Sequence, residues 1–565
     1  MRPDRRVAFL ASDAVWVDPT GCSLPFSYAI RKLDASLRSA PDLGDVETTI
    51  IDLRADDPEA FFESIRAFRP SVVAASTYIW SVKLFCEVAE RVRRWDPTVR
   101  FVMGGPAARP SLLSLAPYQP FLHAIDAVVP GEGEDVIRHI ARAHGDADWQ
   151  QTVPGMRVPG AHGWRQTAAI ERPKLDEHVS PYAIGIVPQA TIGFLETFRG
   201  CPISCAFCQW GEERSDRVYS AEYLAAHLHG LRNAGVQRVY VLDAGFNLSS
   251  RAFRNLIKAE QEAQFLRSCQ VIGHIYPTYI RDEHLDFFES FGRAEIAIGV
   301  QSFDTEVLKR LGRPFDIARF ERVLSEMRDR FDIELELILG LPGDNPQSFR
   351  RTIERAMDIA TSVRVFFCLA LPDALLERAG EFQIDFDPET FEVRSCAGWP
   401  AGTLQAERDY VCGLAATKFR PMIGSNWVEF FMHEPRPARK IELWNLPNSG
   451  SMGALVEDTL VERLRRAVEA AATGWHLAGA RHDGEHLLLD LLDVRGARLP
   501  LVLEVEPERD GQSRFSQIDG VAYSYRGSLE PGDASRLCQL IDRVHGEVRP
   551  VLCRLAEREA GAGSA

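Results

Sequence analysis

Cys201, Cys205 and Cys208 stand in the run Arg199-Gly200-Cys201-Pro202-Ile203-Ser204-Cys205-Ala206-Phe207-Cys208, directly after a strand-like segment at 191–197. Thiolates are soft ligands suited to iron–sulfur chemistry. Three on one short loop can hold three irons of a [4Fe-4S] cube and leave the fourth iron without a protein ligand, open to a small chelating molecule. A structural zinc site needs a fourth Cys or His close by, and none follows in the local sequence. Ordinary buried cysteines give no reason for a preceding Arg-Gly or for a Cys-x3-Cys-x2-Cys spacing.

The elements upstream of this loop read as alternating strand and helix. Five short apolar runs, 7–11, 48–53, 71–75, 100–103 and 127–129, have the continuous hydrophobicity of buried parallel strands. Between the third and fourth, Val82, Phe85, Val88, Ala89 and Val92 recur at helical spacing within 81–95 and form the apolar face of a crossover helix. The loops after the later strands are built of small residues: Ser76-Thr77, Gly104-Gly105-Pro106 and Gly131-Glu132-Gly133-Glu134. Loops at the carboxyl ends of an open parallel sheet are where such folds bind ligands.

Length and composition bound what these parts can do. At roughly 150 residues per domain, 565 residues make about three to four domains, or fewer with a large α/β barrel. Hydrophobic residues at 45% and charged residues at 26% are ordinary for a soluble globular protein and exclude a disordered, collagenous or disulfide-stapled chain. Sixty-five basic against 80 acidic residues leave a net charge of −15, which repels a phosphate backbone, so no nucleic-acid partner is expected. A small molecule or a peptide suits this chain better. No apolar run reaches the roughly 18 residues of a membrane span, and the stretch 7–11 stops at Ser12 and Asp13, too short for a signal-peptide core. A cytoplasmic protein without membrane partners is the expectation. Eleven cysteines, an odd number, then point to reduced thiols or metal ligation.

The cysteine pattern is identified as the signature of the radical S-adenosylmethionine (SAM) superfamily. That resemblance implies an open iron chelated by the amino and carboxylate groups of SAM, and a partial (β/α)6 barrel over about 192–372 with its chemistry at the carboxyl ends of the strands. Asp243, Ala244 and Gly245, after the run 239–242, fall where the family's Gly-Gly-Glu segment holds the SAM amino group. Gln301 and Ser302, after 294–300, fall beside the ribose and carboxylate. Gly340 and Pro342, after 334–339, resemble the adenine-contacting turn, and 365–371 ends at Pro372 as the sixth strand. Two segments depart from the family: His274-Ile275-Tyr276 stands where many relatives have Glu-x-Arg, and Pro372-Asp373-Ala374 replaces Pro-Gly-Thr.

The upstream domain resembles the cobalamin-binding domain of B12-dependent radical SAM enzymes over about 7–143. By that resemblance Ser76, Thr77, Tyr78, Trp80, Gly104, Gly105, Gly131, Glu132 and Gly133 contact cobalamin. The Asp-x-His-x-x-Gly motif that ligates cobalt from below in methionine synthase-like domains is missing, and His123, His139 and His144 lie in other contexts. The resemblance therefore implies cobalamin without a protein imidazole on cobalt, its lower face open to shielding by Tyr78, Trp80 or Trp16, although such residues are more often simply packed aromatics.

The expected organisation is α/β: a Rossmann-like, flavodoxin-like cobalamin-binding domain at 1–150, a linker at 151–190, the radical SAM barrel at 191–400 and a C-terminal α+β domain at 401–565 that caps the site or selects the substrate. In that last part, 486–494 and 499–505 read as a hairpin through Arg495-Gly496-Ala497, 533–557 as a closing helix, and the aromatic segment 419–433, followed by Pro435 and Pro437, as core or as a cover for the barrel mouth. The resemblance implies a cobalamin-dependent methyltransferase of the class B type, with a [4Fe-4S] cluster, SAM and cobalamin as cofactors. It would methylate a carbon of a small-molecule or peptide natural product and draw electrons from a flavodoxin or ferredoxin system. Alternatives are a cobalamin-assisted rearrangement or cyclisation, a polar methyl transfer, and, outside enzymes, a cobalamin-binding sensor. A tRNA methylthiotransferase fits less well, since only Cys22 and Cys86 precede the triad. No side chain is singled out as a catalytic acid, base or nucleophile.

Overall fold

The computed structural model describes residues 5–12, 26–53, 57–188, 190, 192–212, 217–313, 315–328 and 330–432, together with 464, 466–468, 475–482, 486–493, 498–505, 514–518, 521–525, 540–541 and 543–546. The chain divides into two compact units, Met1–Ala14 with Phe26–Arg436, and Val15–Pro25 with Pro437–Ala565.

The first unit begins with β1 (Arg6–Ala11), β2 (Glu47–Asp52), β3 (Val72–Ser76), β4 (Arg100–Gly104) and β5 (Ala127–Val129). They lie in the order β2-β1-β3-β4-β5, each pair parallel. This is the doubly wound order of flavodoxin-like folds, with its switch point between β1 and β3. Alternate side chains serve opposite faces. Leu10, Val73, Ala75, Phe101 and Met103 pack with Phe61, Ile65, Phe85 and Val88 of the helices Pro58–Phe68 and Val82–Trp95. Phe9, Val72, Ala74, Val102 and Val129 pack with Ile30, Leu37, Ile137 and Ile140 of the helices Tyr28–Arg38 and Glu134–Arg142. With both faces covered, the strands read as unbroken apolar runs, and all five lie within one residue of their expected bounds at each end.

Beyond β5 the sheet continues antiparallel through β6 (Arg157–Gly160) and β7 (Gly163–Gln166). Part of the expected linker 151–190 is therefore sheet edge. These strands are four residues long and mostly solvated, so they carry no hydrophobic alternation to announce them.

The second sheet of this unit is the open barrel. Its strands are β8 (Ile192–Leu195), β11 (Arg238–Val241), β12 (Gln270–Ile275), β13 (Arg293–Gln301), β14 (Asp332–Leu339) and β15 (Ser362–Phe367), parallel throughout and consecutive in space. Two short pairs lie apart from it, β9 (Phe198–Arg199) with β10 (Arg217–Val218), and β16 (Asp385–Phe386) with β17 (Val393–Ser395). One face of the sheet buries Ile296, Ile298, Leu335, Leu337, Val363 and Val365 under the helix layer. The alternating positions put Glu295, Gln301, Glu334, Glu336 and Arg364 on the other face. The sixth strand was expected at 365–371 and lies three residues earlier, because the buried polar residues Ser362 and Arg364 interrupt the apolar run at its start.

The helix Thr403–Ala415, β18 (Phe419–Ile423) and β19 (Trp427–Phe431) belong to this barrel unit, which runs to Arg436, not to 400. Val428 and Phe430 of β19 are fully buried, and β19 pairs antiparallel with β15, so the aromatic segment is an extension of the barrel sheet.

The second unit carries an antiparallel sheet in the order β20-β21-β22-β24-β23, from β20 (Trp475–His482), β21 (His486–Asp493), β22 (Arg498–Val505), β23 (Arg514–Ile518) and β24 (Val521–Tyr525). The expected hairpin is present as β21 and β22, with His486 opposite Glu504. Its connection Arg495-Gly496-Ala497 lies outside the described residues, as do Trp16, Cys22, His433, Pro435, Pro437 and most of 533–557. Within the last of these, 540–541 and 543–546 are helical, with Leu540, Ile541 and Val544 buried.

Candidate active site

The cysteine loop leaves the carboxyl end of β8. Gly200 has φ +95, a left-handed conformation that a side chain resists and glycine adopts freely, which lets the chain turn into the loop. Asp243, at the end of the neighbouring β11, holds the start of the loop: its carboxylate accepts from Thr197 N (2.7 Å), Thr197 Oγ1 (2.5 Å) and Phe198 N (3.3 Å). Burial pushes the Asp243 carboxyl up to about 7 against these hydrogen bonds.

The far side of the loop is braced by the segment after β13. Ala206 N donates to Leu311 O (2.8 Å), and a Cβ on Gly312 would stand 2.8 Å from Ser204 O, so only glycine permits this approach. Arg313 places Nη1 3.6 Å from Cys205 Sγ and its guanidinium 4.6 Å from the Tyr276 ring centroid. Cys201 and Cys205 are buried, Cys208 is half-buried, and none is in a disulfide. Burial, aided by the neighbouring cysteines, pushes the Cys208 thiol up to about 11. Loading metal on these thiols therefore releases protons, with Arg313 as the adjacent positive charge. Among the described residues no three His, Cys, Asp or Glu converge on a single metal ion.

The expected SAM contacts occupy the same end of the barrel sheet, in different settings. Ala244 and Gly245 follow Asp243 in a segment tied to the end of β12: Phe246 N donates to His274 O (2.7 Å), and the Asn247 side chain exchanges two 2.8 Å hydrogen bonds with the Tyr276 backbone. The Asp243 carboxylate itself is turned to the cysteine loop. Gln301 sits at φ +69, a strained conformation for a non-glycine residue, and its Oε1 is buried without a hydrogen-bond partner among the described residues. An orphaned acceptor of this kind fits a ligand that brings a donor. Ser302 is fully buried and turned toward Asp344 and Thr352. Gly340, at φ +95, packs so closely on Leu404 and Cys368 that a Cβ would stand 3.0 and 3.3 Å away, and Pro342 is buried.

A polar layer crosses the inner face beneath these loops. His274 Nε2 lies 3.0 Å from Glu336 Oε1, and Arg364 pairs with Glu334 (3.1 Å) and Glu429 (2.6 Å). The His274 side chain is 46% exposed while that of Glu336 is 8% exposed, so the imidazole faces open space and its carboxylate partner lies behind it. The Glu336 charge raises the His274 pKa.

In the N-terminal domain, Ser76, Thr77, Gly104 and Gly105 come together at the carboxyl ends of β3 and β4. Ser76 pairs with Gly104, Thr77 N donates to Gly104 O (2.7 Å), and a Cβ on Gly105 would stand 2.8 Å from Thr77 O. These small residues leave the edge of the sheet open. Beside it Tyr78 and Trp80 stack at 4.6 Å and 6°, and Trp80 is 49% exposed, an aromatic wall suited to a planar ligand. No histidine stands among the described strand-end loops; His123 instead pairs with Glu90 at 2.9 Å.

Gly131, Glu132 and Gly133 form a separate group after β5. Gly133 packs against Leu33, where a Cβ would stand 3.0 Å from its Cδ2, and the Glu132 carboxylate meets Arg199 (2.9 Å) and Arg217 of the barrel. Arg199 stands in the motif before Cys201, whereas its neighbours Lys32, Glu196, Arg217 and Tyr219 carry no signal of their own in the sequence, nor does Arg109, which pairs with Asp373. Only the second glutamate of Gly131-Glu132-Gly133-Glu134 was a visible sign of them. Arg313, too, stands in no short motif.

A flavodoxin-like domain is thus joined to an open six-stranded barrel with three free cysteines on the loop after the barrel's first strand, the arrangement expected of a cobalamin-dependent radical SAM enzyme. The comparisons with known proteins agree. Residues 29–141 match the B12 binding domain family and residues 195–356 the Radical SAM superfamily, so the chain combines the two domains of the cobalamin-dependent radical SAM enzymes. Over 338 residues it is 29% identical to the 2-(S-pantetheinyl)-carbapenam-3-carboxylate methyltransferase of Streptantibioticus cattleyicolor, covering 54% of this chain and 48% of that one. It is 27% identical over 332 residues to the cobalamin-dependent radical SAM methyltransferase TokK of Streptomyces tokunonensis, with the same coverage. The chain thus spans about half the length of these curated relatives. Among solved structures it resembles the radical SAM methyltransferase TsrM of Kitasatospora setae, with a TM-score of 0.56 and 18% identity over 73% of this chain and 88% of that one. A radical SAM domain implies SAM and a [4Fe-4S] cluster, and a B12-binding domain implies cobalamin. Among the described residues no helix is long and apolar enough to cross a membrane.

Proposed function

We propose that this protein is a cobalamin-dependent radical SAM methyltransferase that moves a methyl group from SAM to a carbon of a small-molecule or peptide natural product, in the cytoplasm, with electrons from a flavodoxin or ferredoxin. The observation that carries this reading is the joining of the cysteine loop and the B12-type loops in one compact unit: Gln209, next to Cys208, donates from Nε2 to Pro106 O of the β4 loop at 3.1 Å. The similarity to two curated methyltransferases over 54% of this chain supports the same reaction class.

When bound, the cluster would supply single electrons to SAM and cobalamin would carry the methyl group. Cys201, Cys205 and Cys208 would hold the cluster. Gln301 Oε1 would accept a hydrogen bond from SAM, with Ala244, Gly245 and the Gly340–Pro342 turn beside it and Asp243 and Ser302 fixing those segments from behind. Ser76, Thr77, Gly104 and Gly105 would line the cobalamin edge, and Tyr78 with Trp80 its aromatic side. His274, backed by Glu336, would face the substrate space as a hydrogen-bonding group.

The test is anaerobic incubation of the reconstituted protein with cobalamin, a strong reductant and methyl-labelled SAM. Label is expected on the bound corrinoid, with S-adenosylhomocysteine released; 5′-deoxyadenosine without any S-adenosylhomocysteine would favour a rearrangement or cyclisation instead.

A further inference from the structure

Seven side chains from the two domains of the first unit meet in a buried cluster: Lys32, Glu132 and Glu134 from the N-terminal domain, and Glu196, Arg199, Arg217 and Tyr219 from the barrel. Lys32 Nζ lies 2.6 Å from Glu196 Oε2, 2.6 Å from Tyr219 OH and 3.8 Å from Glu134 Oε1. Arg199 divides its guanidinium among three carboxylates, Glu196 (2.9 Å), Glu134 (2.5 Å) and Glu132 (2.9 Å). Arg217 closes the group on Glu132 and on Pro173 O (2.8 Å).

Three cations face three carboxylates, so the group is neutral as a whole. Burial opposes ionisation of Glu196 and Glu134, but Arg199 and Lys32 overcome it: Glu196 is held down to about 2 and Glu134 lower still. Lys32, Glu134 and Tyr219 are at most 6% exposed. A buried ion network of this kind adds little net stability over apolar packing, yet its charges are satisfied in only one register.

The register matters because of where the chain leads from each side. Arg199 stands two residues before Cys201. Glu132 lies in the loop at the carboxyl end of β5 and Glu134 opens the helix that follows it, and the Glu134 carbonyl accepts from Ser36 Oγ at 2.6 Å, fixing that end of the loop to the helix that carries Lys32. A shift of the ion group would move the cysteine loop and the N-terminal domain's strand-end loops against each other.

We propose that Lys32, Glu134 and Arg199, extended by Glu132 and Arg217, are positioning residues that set the cobalamin-binding domain against the cysteine loop and so fix the geometry for methyl transfer from SAM to cobalamin. This rests on the functional reading above. It gives the Glu132 carboxylate a protein partner in place of the cofactor contact implied by resemblance.

Two SAM reactions need no substrate and separate the roles. Methyl transfer breaks the S–CH3 bond, passes the methyl to the two-electron-reduced cobalt, which supplies the bonding pair, and releases S-adenosylhomocysteine. Reductive cleavage takes one electron from the cluster, breaks the S–C5′ bond and releases methionine and, after hydrogen uptake from the reducing medium, 5′-deoxyadenosine. Only the first depends on the placement of one domain against the other.

The full chain, reconstituted with iron, sulfide and cobalamin and reduced with titanium(III), is assayed for both products as wild type, Glu134→Gln, Glu134→Asp and the milder rim variant Arg217→Gln. Glu134→Gln is expected to slow S-adenosylhomocysteine release at least tenfold while 5′-deoxyadenosine stays within twofold, with Arg217→Gln intermediate and Glu134→Asp partly restored. In the cofactor-free chain, hydrogen exchange in 131–136 and 196–200 should rise together in Glu134→Gln while β13 to β15 keep their protection. A parallel fall of both products, or no change in either, overturns the proposal. Should the wild type release 5′-deoxyadenosine but no S-adenosylhomocysteine, the functional reading fails and takes this role with it, an outcome separate from any variant effect.

Discussion

His274 on β12 reaches past a whole strand to bond Glu336 on β14, Nε2 to Oε1 at 3.0 Å. Small residues on the strand between allow it. Ala297 is the register partner of both His274 and Glu334, and Gly299 is opposite Glu336. A Cβ on Gly299 would stand 2.5 Å from Gln301 Nε2 and 3.6 Å from Glu336 Oε2. The pair gives the inner face of the barrel sheet a carboxylate-backed imidazole, which in the proposed function faces substrate.

Removing that carboxylate has a signed consequence. The Glu336 charge is the largest influence on the His274 pKa and raises it, so in Glu336→Gln the half-exposed imidazole should titrate at lower pH than in the wild type. In the wild type the pair's contribution to stability is present below the ordinary histidine pKa and fades as pH rises through the elevated folded value. Imidazole chemical shifts in histidine-labelled protein across pH 5–9 check both; an unchanged titration in Glu336→Gln would contradict the pairing.

Asp373, which stands where relatives have the Gly of Pro-Gly-Thr, adopts φ +57. Asp tolerates this left-handed conformation better than most residues, and its carboxylate pairs with Arg109, whose Nη1 also donates to Gly105 O at 3.0 Å. The departure from the family pattern is thus an ion pair that ties the β4 loop to the barrel. Asp373→Ala loses the pair and keeps the strain, with an expected cost of about 1–3 kcal/mol. Asp373→Gly relieves the strain and should cost less in chemical denaturation, which measures both.

Asp243 supplies a second pH dependence. Its folded value near 7 lies well above that of a free aspartate, so the cofactor-free native state binds an extra proton between about pH 4 and 7. Its contribution is present at the acid end of this window and lost as pH rises through 7, on the order of a few kcal/mol. Asp243→Asn, whose amide oxygen can still accept from Thr197 N, should flatten that slope relative to wild type in unfolding curves taken from pH 4.5 to 7.5.

The cluster assignment has an analytical check. Reconstituted wild type should hold about four irons and four sulfides per chain, and replacing Cys201, Cys205 and Cys208 together with Ala should abolish them. Normal iron content in the triple variant would place the cluster elsewhere.

How far the sequence was legible follows contact range. The five N-terminal strands were readable because burial on both faces writes itself as local apolar runs, and the cysteine loop because its three ligands lie within eight residues. The pairs that organise the site were not. Lys32 and Tyr219 are 187 residues apart, Arg109 and Asp373 264, and His274 and Glu336 62, and no local pattern links residues that meet only after folding. The strands at 157–166 and 419–431 were missed for another reason: strands that are short, or that bury a charged residue such as Glu429 against Arg364 among aromatics, lack the periodicity of a free-standing element.

Methyl transfer to carbon by the proposed radical route consumes two SAM molecules for each product, one to methylate cobalamin and one to generate the radical, and counting products tests it most directly. With the reconstituted protein, methyl-labelled SAM, a reductant and a metabolite extract as the source of substrate, each labelled product should appear with one S-adenosylhomocysteine and one 5′-deoxyadenosine. Labelled product with S-adenosylhomocysteine but no matching 5′-deoxyadenosine would show polar transfer, and 5′-deoxyadenosine with no label in any product would contradict methyl transfer altogether.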